Sequence, residues 1–96
     1  MFARHLSMKS TPENRTEIEA LADDVFHRAK SIDGFVTIHF LVSEDETTYG
    51  AISLWKTRRD AQVAGDQLRA YSQDRIAKLA TEPPVETYYE IYKPKT

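Results

Sequence analysis

At 96 residues the chain is long enough for one hydrophobic core and too short for two, so a single domain over residues 1–96 is expected. Its 41% hydrophobic and 29% charged residues suit an ordinary globular protein rather than a disordered or membrane-spanning one. The 13 basic residues are spread among 15 acidic ones, which speaks against a nucleic-acid partner, and the absence of cysteine excludes disulfides, thiolate metal sites and thiol nucleophiles.

The amino terminus enters a strand pattern at once, without a long apolar run, so neither a signal peptide nor a membrane span is expected and the cytoplasm is the default location. Phe2, Arg4, Leu6 and Met8 alternate with Ala3, His5, Ser7 and Lys9, the period of a first strand. Ser10-Thr11-Pro12-Glu13 reads as a helix start: Ser10 or Thr11 caps, Pro12 suits the first turn, and Glu13 stands where a capping box needs it. Ile18, Leu21, Ala22, Val25, Phe26 and Ala29 then form one apolar stripe, with Glu17, Glu19, Asp24 and Arg28 turned to water. Asp33-Gly34 ends this helix.

Residues 34–55 read as a β-hairpin around an acidic turn at residues 43–46. Its first strand, residues 35–42, sets Val36, Ile38, Phe40 and Val42 against Phe35, Thr37, His39 and Leu41. Its second, residues 47–55, sets Tyr49, Ala51, Ser53 and Trp55 against Gly50, Ile52 and Leu54. Thr57 caps a second helix, with Asp60 near the positive end of the helix dipole and Arg58 and Arg59 opposing that preference. Ala61, Ala64, Leu68, Tyr71, Ser72, Ile76 and Leu79 are its apolar stripe. Gly65 interrupts it at a cost of about 1 kcal/mol, which asks for close packing against the sheet or room for a ligand. Glu82-Pro83-Pro84 stops the helix, and residues 85–92 alternate as a fourth strand that Pro94 ends.

The order βαββαβ predicts an α+β, ferredoxin-like fold: a four-stranded antiparallel sheet in the order 4-1-3-2 with both helices on one face. Both hairpin strands are apolar on both sides, so the helix-free face also needs a cover, and a second copy of the chain is the expected one. Two such sheets face to face make a dimeric α+β barrel, a homodimer through the open face.

Gly34-Phe35, the strand ending Ile52-Ser53-Leu54-Trp55, the helix start Lys56-Thr57 and the tyrosine-rich last strand together resemble the antibiotic biosynthesis monooxygenase (ABM) superfamily of dimeric α+β barrels over nearly the whole chain. The resemblance implies a ligand cavity between sheet and helices, lined by Trp55. It implies an activity among cofactor-independent oxygenation of aromatic polyketides or quinols and oxidative haem degradation. Haem-degrading members carry an asparagine on strand 1, where Arg4 stands here, and a histidine on helix 2, which has none from Arg58 to Thr81. In monooxygenase-like members an asparagine commonly precedes the tryptophan on strand 3, where Ala51 and Ser53 stand.

The ligand-pocket candidates are therefore Arg4, Tyr49, Ser53, Trp55, Tyr71 and Arg75, with no cofactor and no metal expected. Arg4, on the apolar phase of its strand, needs either a carboxylate partner or an anionic ligand. Trp55 either stacks on a planar substrate or fills the core. Tyr71 and Arg75, four apart, share a helix face, and as pocket candidates they are expected to turn it to the sheet. His5 and His39 lie on the phase of the open face and read as interface residues, since no carboxylates accompany them at metal-ligand spacing. Three functions compete: a cofactor-free monooxygenase acting on a small aromatic or quinol, a non-catalytic binding or stress-associated barrel, and an RNA-binding sheet. The last lacks basic residues and half the aromatic signature.

Overall fold

The computed structural model describes residues 1–95. It carries them as β1 (Phe2–Lys9), a single 3-10 turn (Pro12–Asn14), α1 (Arg15–Ala29), β2 (Phe35–Val42), β3 (Thr48–Trp55), α2 (Arg58–Leu79) and β4 (Val85–Glu90). The strands form one antiparallel sheet in the order β2-β3-β1-β4, which is the predicted ferredoxin-like order. Phe2, Arg4, Leu6 and Met8 of β1 stand opposite Trp55, Ser53, Ala51 and Tyr49 of β3, and this face of the sheet carries both helices. None of the described helices is long and apolar enough to cross a membrane.

The core lies in two clusters beneath the helices. One joins Met8, Tyr49, Ile18, Leu21, Ile76 and Leu79; the other joins Trp55, Ala29, Ala61, Ala64 and Leu68. The three alanines give the second cluster its shape, because small residues at the contact let α1 and α2 approach the Trp55 indole closely. Gly65 extends the same logic. A Cβ there would collide with the Tyr88 hydroxyl and lie 3.1 Å from Arg4 Nε, so the interruption of the stripe serves close packing against β4 and β1.

Several local expectations are corrected. Ser10 caps nothing: its Oγ donates to the Leu79 carbonyl at 2.6 Å, satisfying an orphan acceptor at the end of α2. The capping box is therefore replaced by the 3-10 turn, with Asn14 N–H donating to the Thr11 carbonyl at 3.1 Å. Thr57, by contrast, caps α2 as expected, accepting from Asp60 N–H at 3.0 Å. Helix α1 closes at Ala29 rather than at Asp33-Gly34, and successive turns lead to Gly34 at φ +83. Only glycine fits there, since a Cβ would also collide with the Asp60 carboxylate.

In β2 a bulge between Phe35 and Thr37 breaks the strict alternation. It places Phe35 on the helix side, edge-on to Trp55 at 5.6 Å, and leaves Val36 exposed. Phe26 leaves the apolar stripe of α1 for the surface, where the Lys30 ammonium lies 5.3 Å from its ring. Strand β3 begins at Thr48 because Thr47 belongs to the turn, where Asp45 Oδ1 accepts from Ser43 Oγ and from the Thr47 amide and hydroxyl. Strand β4 stops at Glu90, opposite Phe2 at the start of β1, and Ile91 N–H donates the last bond of the pairing to the Met1 carbonyl at 2.9 Å.

Candidate functional site

A cleft lies between the two core clusters, under α1 and over the middle of the sheet. Leu6 and Met8 of β1, Ile38 and Phe40 of β2 and Ala51 of β3 form its floor; Ala22 and Val25 of α1 and Ser72 and Ile76 of α2 form its roof. It opens at the free edge of the sheet, where Phe40 lines it and yet stays 41% exposed. The space within it is about 70 Å³. An apolar cavity that takes a benzene ring measures about 150 Å³, so the space is under half of what one ring needs.

Arg4 is the one charged residue of that lining. It is 5% exposed, and its Nε donates to Glu86 Oε2 at 2.6 Å. The other oxygen of Glu86 accepts from Arg69 Nη2, and Arg69 also pairs with the exposed Asp66 at 3.0 Å. One carboxylate on β4 thus bridges a buried and a surface guanidinium. Burial pushes the Glu86 carboxyl up, but the hydrogen bonds and charges of Arg69 and Arg4 outweigh it and hold the group below its ordinary value. The internal ion pair expected as one of two fates for Arg4 is present.

Tyr49 also lines the cleft, but its hydroxyl donates to the Thr11 carbonyl at 3.1 Å. Burial pushes its phenol up, with the nearby Glu46 carboxylate adding to the effect, so Tyr49 stays protonated and anchors the chain before α1.

The remaining four candidates lie elsewhere. Trp55 is fully buried in the second cluster, where its Nε1 donates to Ser53 Oγ at 2.9 Å and its ring packs on Phe35. Ser53 in turn donates to the Arg4 carbonyl at 3.4 Å. The pair ties β3 to β1 beneath the helices and leaves neither side chain facing the cleft. Tyr71 and Arg75 are turned to α1 rather than to the sheet: the Arg28 guanidinium lies 4.1 Å from the Tyr71 ring, and Arg75 pairs with Asp24 at 2.8 Å. Both clamp the two helices at the surface.

Sequence reasoning missed most of the lining. Leu6, Ile38 and Phe40 show only the alternation of a strand, and Ala22, Val25 and Ser72 only the apolar stripe of a helix, so nothing in the sequence marks them as a shared lining. The one available signal was Ser72, a hydroxyl within an apolar stripe; its Oγ is satisfied by the Leu68 carbonyl at 2.7 Å. His5 and His39 both stand beside Ile52 on the helix-free face. Among the described residues, no three histidine, cysteine or acidic side chains gather as a metal site.

The Glu86 carboxyl carries a pH signature. Its folded pKa is depressed, so its contribution is present above the unfolded value near 4.5 and is lost as pH falls through the lower, folded value. Glu86→Gln is expected to cost about 1.5–3 kcal/mol in denaturant unfolding at pH 7, the range for hydrogen bonds to charged groups. The gap between variant and wild type should close at pH values low enough to protonate Glu86. A gap unchanged by acid would show that the carboxylate charge contributes nothing.

The sequence matches no protein-family model and no curated protein. Solved structures, in contrast, match over nearly their whole length. A Nitrosomonas europaea protein assigned by name to the antibiotic biosynthesis monooxygenases superposes with a TM-score of 0.83 at 16% identity, covering 99% of this chain and 93% of its own. A monooxygenase from the ActVA-Orf6 gene of Streptomyces coelicolor, in complex with nanaomycin D, gives 0.80 at 16% identity, covering 99% and 90%. A further antibiotic biosynthesis monooxygenase gives 0.80 at 10% identity, covering 97% and 100%. The chain therefore has the fold of the antibiotic biosynthesis monooxygenase superfamily.

Proposed function

We propose that this protein is a monooxygenase-like domain that takes a small aromatic or quinol-type molecule into the cleft between α1 and the sheet. The observation that carries this reading is a cleft with apolar walls and a single buried cation, Arg4. The Streptomyces coelicolor monooxygenase with nanaomycin D supports it by likeness of fold. The tight interior means that a ring enters from the β2 edge, past Phe40, and spreads α1 from the sheet as it does so.

The chemistry such a cleft supports is spare. The lining holds no carboxylate and no histidine, and Tyr49 keeps its proton, so no side chain there serves as general base. The substrate must be acidic enough to lose its proton to solvent, as a phenol or an enolisable ketone is. Its anion, favoured by the Arg4 charge, gives one electron to dioxygen. The resulting radical and superoxide join through a new C–O bond, and loss of water from the peroxide turns a CH2 group into a carbonyl. One dioxygen is consumed, one of its atoms stays on carbon and the other leaves as water, so no reductant is needed.

A second reading is favoured by two details. The cleft is small, and Arg4 is already held by Glu86. Both suit a barrel that binds a ligand without turning it over. Oxygen uptake with anthrone- and quinol-type substrates decides between them. The oxygenase reading expects uptake above the spontaneous rate, and a loss of about tenfold or more in kcat/KM when Ala22→Trp fills the cleft, that is about 1.4 kcal/mol of transition-state binding. Wild-type uptake at the spontaneous rate would leave the binding reading.

We further propose a homodimer through the helix-free face. Ala3, Leu54 and Tyr89 stand side by side there, and Ile52, Leu41 and Val85 are set among His5, His39, Ser7 and Thr87; Leu41, Val85 and Tyr89 are exposed in the single chain. A patch of this kind is an association surface more often than a wetted one. Sedimentation is expected to give twice the 11.0 kDa chain mass at micromolar concentration, and a single 11.0 kDa particle would overturn the dimer.

A further inference from the structure

Arg4 is nearly as buried as the aliphatic core, yet only its Nε is engaged, on Glu86. Among the described residues its two terminal nitrogens donate to no protein group. They are not sealed in either, since no enclosed side-chain nitrogen of the described residues lacks a partner. They therefore meet open space, and two spaces adjoin Arg4.

One is the cleft already described. The other is a groove on the far side of α2, between that helix and β4, which shares Arg4, Leu6, Ser72 and Ile76 with the cleft as a common wall. The groove holds about 320 Å³ against about 70 Å³ for the cleft. Small-molecule sites begin at roughly 300 Å³, so the groove is already of ligand size without any movement of the chain. Its wall is apolar at Leu6, Ile76, Ala77 and Pro84, and its ionisable groups are Arg4, Arg69 and Glu86.

We propose that the groove between α2 and β4 binds the anion of a small carboxylic acid with an apolar, ring-sized body, its carboxylate held on the terminal nitrogens of Arg4. The groove is a different space from the cleft, although Arg4 stands in the wall common to both, and carboxylate binding there does not require that the cleft turn over a substrate. Three features select the ligand class. A guanidinium edge is planar and offers two parallel N–H donors, the geometry that a carboxylate matches. The structure already seats a carboxylate, that of Glu86, between Arg4 and Arg69. Within the groove lining two guanidiniums face one carboxylate, and Asp66 pairs with Arg69 from outside the lining, so the donors left unspent are the terminal nitrogens of Arg4. The apolar wall then takes the ring, and the burial of Arg4 keeps its charge from being spent on water.

The probes are 2-naphthoate and its neutral amide, titrated against the intact protein by fluorescence. The acid is expected to bind the wild type about tenfold or more tighter than the amide, the share of one charge-assisted hydrogen bond. Arg4→Met should abolish that preference. Because Arg4→Met risks the fold, Ala77→Trp supplies a second arm: Ala77 is exposed on α2, and an indole there fills the groove, so the affinity for the acid should fall about tenfold. Equal affinity for acid and amide in the wild type would overturn the proposal. So would loss of acid binding in Ala22→Trp but not in Ala77→Trp, which would move the anion into the cleft. Neither outcome bears on oxygen uptake, so this site and the oxygenase reading fail separately.

Discussion

A buried guanidinium held by a single carboxylate is the constraint on which the middle of this molecule depends. Arg4 sits in the central strand of the sheet, on the face that carries the helices, where an unpaired charge would cost several kcal/mol. Glu86 on the neighbouring strand meets it, and Arg69 from α2 meets Glu86 in turn. The three residues tie β1, β4 and α2 together at the place where an apolar core would otherwise have been continuous. They also divide the interior. On one side lies the tight cleft under α1; on the other lies the wider groove beside β4, and Arg4 belongs to the lining of both.

How much of this was legible in the sequence follows from what each signal depends on. The strands and helices were readable because period-2 and period-3.6 patterns report which side of an element is buried, and the βαββαβ order leaves few topologies. Arg4 was readable as an anomaly on an apolar phase, and the carboxylate partner that burial demands was found. Its identity was not readable, since Glu86 is 82 residues away and reaches Arg4 only through the β1–β4 pairing. The bulge at Phe35 was invisible for a different reason: one extra residue inverts every inference from alternation on its near side. Tyr71 and Arg75 show the same limit in a helix, where spacing says which residues share a face but not whether that face meets a sheet or another helix.

Trp55 shows how a fold can be recognised through a residue that is wholly enclosed by its own core. It marks the end of β3, and Phe35, Ala29, Ala61 and Ala64 are shaped around it. Its indole N–H is spent on Ser53, so what it contributes is a well-packed junction between the hairpin and both helices. The residues that border open space are aliphatic and aromatic ones, a few neutral polar ones, and the linked Arg4, Glu86 and Arg69. Function on such a scaffold rests on the site rather than on the fold, and here the site is defined by one network of charges and the two volumes beside it.

The most direct measurement is the arginine side-chain spectrum of 15N-labelled protein, with Arg4 assigned by Arg4→Lys. The account predicts an Arg4 Nε–H signal that is protected from exchange with water and moves when Glu86 is replaced by glutamine, as a short bond from Nε to a carboxylate requires. An Arg4 Nε–H that exchanges as fast as those of the exposed Arg58 and Arg59, and that ignores Glu86→Gln, would contradict the ion pair and with it the division of the interior.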